Sequence, residues 1–129
     1  MNIRVYYEDT DCGGVVYYAN YLKYMERSRT EFLRNLEIDQ VNYQKKGIFF
    51  VVIDAHIKYR SPARYDDLLS IESSIIELSS AAVVFETRIL CDKTLLVKGE
   101  VKLVCVGPQG HAMKIPEEIR EALAGTMRR

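Results

Sequence analysis

Apolar residues recur at helical spacing over one long stretch of this chain and at alternate positions over several others, and that contrast predicts the elements. Tyr21, Tyr24, Met25, Ser28, Phe32 and Leu36 return every three or four residues, while Lys23, Glu26, Arg27, Arg29, Thr30 and Arg34 cover much of the opposite side. The spacing predicts a helix over about 19–36, with Leu33 and the tyrosines widening a stripe that packs against a sheet. Residues 48–60 alternate instead. Phe49, Val51, Ile53, Ala55, Ile57 and Tyr59 fall on one face, against Val52, Asp54, His56, Lys58 and Arg60. Stretches 68–78, 82–91 and 95–106 show the same β-branched alternation, with Asp92-Lys93 as a tight hairpin turn between the last two. Ile3 to Tyr7 reads as a short first strand.

Punctuation fills in the rest. Asp39 suits the N-cap of a short second helix running to Lys46, with Gly47 as its stop. Ser61-Pro62-Ala63-Arg64 and Tyr65-Asp66-Asp67 make a loop. Gly107-Pro108-Gln109-Gly110 ends the last strand, and Pro116 suits the first position of a C-terminal helix. Strand, long helix, then four strands joined by short loops describes an α+β domain over 1–129. An antiparallel five-stranded sheet wrapping one long helix buries both the stripe and the strand faces economically.

At 129 residues the chain is long enough to bury about two-thirds of its extended surface. Eighteen basic and eighteen acidic residues cancel, which gives no footprint for nucleic acid or an anionic membrane. No apolar run is long enough to cross a bilayer, and Met1-Asn2-Ile3-Arg4 lacks a signal-peptide core. Cys12, Cys91 and Cys105 are odd in number and have no CxxC spacing, so neither a disulfide framework nor a structural zinc site is expected, and a cytoplasmic location is.

Chemistry concentrates in Tyr7-Glu8-Asp9-Thr10-Asp11-Cys12-Gly13-Gly14-Val15-Val16-Tyr17-Tyr18-Ala19-Asn20-Tyr21. Two aspartates, Asp9 and Asp11, precede a glycine pair and a helix start, where free N–H groups and the positive dipole end favour an anion. A calcium loop is a poor fit, because its fifth position would be Gly13 and its twelfth Asn20. No serine sits in a Gly-x-Ser-x-Gly elbow, and the two histidines, His56 and His111, fall in a strand and a late loop. No phosphate-cradling glycine pattern occurs. Cys12 is read as a small loop residue, and Asp54 with His56 as a surface pair. The cluster Tyr17, Tyr18, Tyr21 and Tyr24 reads first as helix packing, with Tyr17 and Tyr18 also where a ligand would meet the helix end. On these residues alone Asp11 is either a turn or capping aspartate or a catalytic acid.

The same stretch resembles the signature of the hot-dog-fold acyl-CoA thioesterases, nearest the YbgC-type and 4-hydroxybenzoyl-CoA thioesterase groups. Tyr24-x-Glu26-x-x-Arg29-x-Glu31 and Tyr59-x-x-Pro62-x-x-Tyr65-Asp66-Asp67 support it, and element order and length match over nearly the whole chain. The resemblance implies a hot-dog fold and an acyl-CoA substrate, with a carrier-protein thioester as another handle and no cofactor or metal. It implies Asp11 as nucleophile or general base, and the Tyr18 backbone N–H as the group that polarises the thioester carbonyl. Tyr7, Gly14, Tyr17 and Arg64 are the expected substrate contacts. YbgC-type sequences usually carry histidine where this chain has Tyr18, and the 4-hydroxybenzoyl-CoA group has tyrosine; a backbone N–H survives that exchange. Members form dimers with sheets joined edge to edge, often paired into tetramers, so a homodimer and homotetramer are expected. A non-hydrolytic module binding acyl-CoA or acyl-carrier protein is the second reading.

Overall fold

A computed structural model describes residues 1–127. The elements in chain order are β1 (Asn2–Arg4), a 3₁₀ turn (Tyr7–Asp9), α1 (Asn20–Asn35), α2 (Gln40–Lys45), β2 (Phe49–Tyr59), β3 (Leu68–Leu78), β4 (Ala82–Cys91), β5 (Thr94–Val106) and α3 (Glu117–Thr126). All strand pairs are antiparallel, in the order β1-β3-β4-β5-β2. The five-stranded sheet around one long helix is the architecture the periodicity predicts.

The helix stripe buries as its spacing requires. Tyr21, Tyr24, Met25, Ser28 and Leu33 of α1 are buried, and Phe32 meets Phe85 of β4 edge-on at 5.5 Å. Met25 reaches the sheet at Gly99, where a Cβ would overlap its Cε; the missing side chain on β5 lets the helix approach. One polar seam crosses this core. The Ser28 and Ser73 hydroxyls lie 2.7 Å apart and those of Ser73 and Thr87 2.9 Å apart, so the buried polar atoms satisfy one another.

Turn chemistry follows the sequence. The Asp39 carboxylate accepts the Asn42 N–H at 3.0 Å and caps α2, and Gly47 ends it at φ +80°. Asp92 and Lys93 both take positive φ, +48° and +70°, as a two-residue type I′ hairpin turn requires. Pro116 is the N-cap of α3, one position before the place expected, and its carbonyl accepts the Arg120 N–H at 2.9 Å.

Two expectations are corrected. The first strand ends at Arg4, because the Asp9 carboxylate takes the Tyr6 N–H at 2.9 Å and turns Tyr7–Asp9 into a 3₁₀ helix. The face of β2 also changes partway along. Its register on β5 shifts between Val52 and Asp54, leaving Ile53 as the extra residue of a bulge. Phe50 and Val52 oppose the buried Cys105 and Leu103. Beyond the bulge Ala55, Ile57 and Tyr59 oppose Val101, Gly99 and Val97 on that same helix-facing side. Phe49 and Val51 therefore lie on the opposite side from Tyr59, not with it, since one inserted residue inverts all that follows.

Candidate active site

The acidic segment folds as a miniature hairpin. The Tyr17 N–H donates to the Asp9 carbonyl at 2.9 Å, Thr10 bridges Val16, and the Asp11 N–H donates to the Val15 carbonyl at 2.9 Å. Gly14 closes the turn at φ +80°, with open space where a side chain would stand. The loop after β2 grips its far arm. Val16 donates to the Ala63 carbonyl at 2.8 Å, Val15 bridges Arg64, and the Tyr21 hydroxyl accepts the Ala63 N–H at 3.0 Å.

The two acids take different environments on this frame. The Asp9 carboxylate accepts the Tyr6 N–H, and the Asp9 carbonyl accepts both the Tyr17 N–H and the Asn20 side-chain amide, the latter at 2.8 Å. Asp9 is a structural hub. Asp11 accepts the Gly13 N–H at 2.8 Å through Oδ1 and is exposed. That contact is an Asx turn, not a cap of α1, whose N-cap is Ala19 with no side-chain partner. One carboxylate is thus oriented by its own loop and open to solvent.

The start of α1 has unused hydrogen-bonding capacity. The carbonyls of Tyr17, Tyr18 and Ala19 accept from Asn20, Tyr21 and Leu22 and so join the first turn. Among the described residues no acceptor takes the Tyr18 N–H. The first turn of α1 contains no acidic residue, so its positive end is not neutralised from within the helix.

Aromatic rings surround this corner. Tyr18 is 62% exposed; its ring lies 4.9 Å from that of Tyr17 and edge-on to Tyr59 at 6.5 Å. The neighbouring Tyr18 phenol raises the pKa of Tyr17 above its ordinary value. Tyr7 is exposed and meets Tyr65 edge-on at 5.9 Å. Asp11, Gly14, Tyr17 and Arg64 therefore gather on one braced loop system with Tyr18, while Tyr7 lies on the preceding 3₁₀ turn. Sequence spacing missed Asn20 as a brace and Tyr59 as a contact of Tyr18. The motif Tyr59-x-x-Pro62 was the available signal for the second.

Other candidates fall elsewhere. His56 Nε2 and Asp54 Oδ2 do pair, at 3.2 Å, on the sheet face away from α1. Cys12 is an exposed free thiol, and burial raises the pKa of Cys105 and, first among its causes, that of Cys91. Among the described residues no group of three or more His, Cys, Asp or Glu is placed to hold a metal, and no helix is long and apolar enough to cross a membrane. A cavity of about 290 Å³ lies beside α1 and β2, lined by Leu33, Ile38, Phe50, Phe85 and Arg29 among others. None of the six expected site residues lines it. Burial lowers the pKa of Arg29, with Glu26 partly opposing.

Comparison with known proteins identifies the family and the fold. Residues 5–123 match the family model of the thioesterase-like superfamily. The acyl-CoA thioester hydrolase YbgC of Escherichia coli O6:H1 is 45% identical over 107 residues, 82% of this chain and 80% of the relative. The acyl-CoA thioesterase YbgC of Haemophilus influenzae is 41% identical over 122 residues, 93% and 90% respectively. The crystal structure of the hypothetical protein TT1821 from Thermus thermophilus superposes with a TM-score of 0.94 at 31% identity, covering 98% of both chains. The chain belongs to the thioesterase-like superfamily and has the hot-dog fold of its thioester hydrolases.

Proposed function

We propose that this protein hydrolyses the thioester of a small acyl-CoA, short-chain or aromatic, to the free acid and CoA. The observation that carries the reading is that one short segment holds both an exposed, loop-oriented carboxylate at Asp11 and an uncommitted N–H at Tyr18, just before a helix start. A thioester carbonyl is more electrophilic than an ester and thiolate leaves readily, so one carboxylate without a triad suffices.

As general base, Asp11 takes a proton from water, and the oxygen adds to the carbonyl carbon. As nucleophile, its own oxygen adds, and water later cleaves the resulting anhydride. In either route negative charge grows on the carbonyl oxygen, where the Tyr18 N–H and the helix dipole stabilise it, a contribution of roughly 3 kcal/mol in comparable oxyanion sites. The C–S bond then breaks and CoA departs as thiolate. Tyr7, Gly14, Tyr17 and Arg64 are the proposed substrate contacts: Gly14 gives the acyl group open access to the backbone, the phenols flank it, and Arg64 offers a cation to CoA phosphate.

A homodimer is part of this reading, with pairs of dimers forming a tetramer. The edge strand β2 exposes Phe49, Val51, Val52 and Ile53, and an edge of that character pairs with another chain. The test is thiol release from acetyl-, butyryl-, octanoyl- and benzoyl-CoA. Turnover on the short or aromatic members supports the proposal; tight binding without release on all four favours a non-hydrolytic module.

A further inference from the structure

We infer that Tyr59, at the end of β2, is a positioning residue that fixes Tyr18 by joining its exposed ring to the buried core. The inference rests on the reading of the Tyr18 N–H given above. Tyr59 touches both sides of the helix start. Its ring lies 5.6 Å from that of Tyr21 and edge-on to that of Tyr18 at 6.5 Å.

Tyr21 is rigidly held, being buried and accepting the Ala63 N–H through its hydroxyl. Tyr18 has no such anchor. Its side chain is exposed, and its other ring contact, Tyr17, is exposed as well. Tyr59 is the bridge from the fixed ring to the free one.

The backbone keeps that bridge in place. Tyr59 pairs with Val97, and the Arg60 and Ser61 N–H groups both donate to the Leu96 carbonyl, at 2.8 and 3.2 Å. The bulge at Ile53 is what brings Tyr59 to this side of the sheet. Among the described residues the Tyr59 hydroxyl makes no hydrogen bond, so the ring is the working part. The Tyr59 contact restrains the Tyr18 ring and with it the residue at the helix start, and small misplacements of a polarising group reduce turnover more than ground-state binding.

The test is a double-mutant cycle of Tyr59→Ala and Tyr18→Ala, with kcat and KM read on butyryl-CoA and benzoyl-CoA. Tyr59→Ala is expected to lower kcat about 3- to 10-fold while KM changes less than about 2-fold. Tyr59→Leu, which keeps apolar bulk against Tyr21, should show the same defect, and Tyr59→Phe should recover turnover. In the Tyr18→Ala background, Tyr59→Ala should cost less than about 2-fold more. Fully additive losses, or recovery by Leu as good as by Phe, overturn the inference while Asp11→Asn remains inactive. Full turnover in Asp11→Asn overturns the underlying mechanism, and this inference with it.

Discussion

Asp9 and Asp11 stand two residues apart on one loop and divide its work: Asp9 holds the Tyr6 N–H through its carboxylate and the Tyr17 N–H and Asn20 amide through its carbonyl, whereas the Asp11 carboxylate accepts the Gly13 N–H of its own turn and faces solvent. The sequence presents them as a pair of like acids. Folding makes one a structural tie and leaves the carboxylate of the other open to solvent.

Asp9→Ala should therefore lower stability and spare chemistry. Loss of the acceptor for the Tyr6 N–H removes an exposed hydrogen bond that organises the 3₁₀ turn, at a cost of about 0.5–1.5 kcal/mol. Denaturant unfolding should show the loss, and turnover per folded molecule should stay well above that of Asp11→Asn.

Gly99 gives a packing prediction. A methyl there meets Met25 Cε, so Gly99→Ala should destabilise by about 1–3 kcal/mol through overpacking. Met25→Leu, which shortens the intruding side chain, should recover part of that loss in a thermal melt.

Tyr24 gives a prediction in alkali. Its hydroxyl is buried and has no hydrogen-bond partner among the described residues; burial first, and then the Asp9 carboxylate nearby, raise its pKa far above the ordinary value of 10. The folded protein thus holds this proton more tightly than the unfolded chain. The corresponding stability is fully present below about pH 10 and is lost as pH rises beyond it. Tyr24→Phe should be neutral or stabilising near pH 7, and should flatten the fall in stability above pH 10 measured by denaturant unfolding.

Much of the fold was legible because its signals are local. The α1 stripe from Tyr21 to Leu36, the Asp39 cap, the Gly47 stop and the Asp92-Lys93 turn each follow from spacing or side-chain chemistry within a few residues. The bulge at Ile53 was not legible, because alternation counts residues and a bulge changes the count against the partner strand. The partition of Asp9 from Asp11 depends on Asn20 and Tyr17 folding back, and the Tyr59–Tyr18 contact joins segments far apart in sequence. The roles proposed for Asp11 and Tyr18 come from a family signature, while the geometry around them required the hairpin of residues 9–17 and the loop after β2.

The most direct measurement of the central claim is thiol release by Asp11→Asn, compared with the wild type on butyryl-CoA and benzoyl-CoA. Asparagine keeps an oxygen to accept the Gly13 N–H, so the loop and the melting temperature should be preserved. It can neither take a proton from water nor add to a thioester as a carboxylate does. The account predicts that kcat falls by at least about 100-fold in a protein that melts as the wild type does. A folded Asp11→Asn protein with near-normal turnover would contradict it.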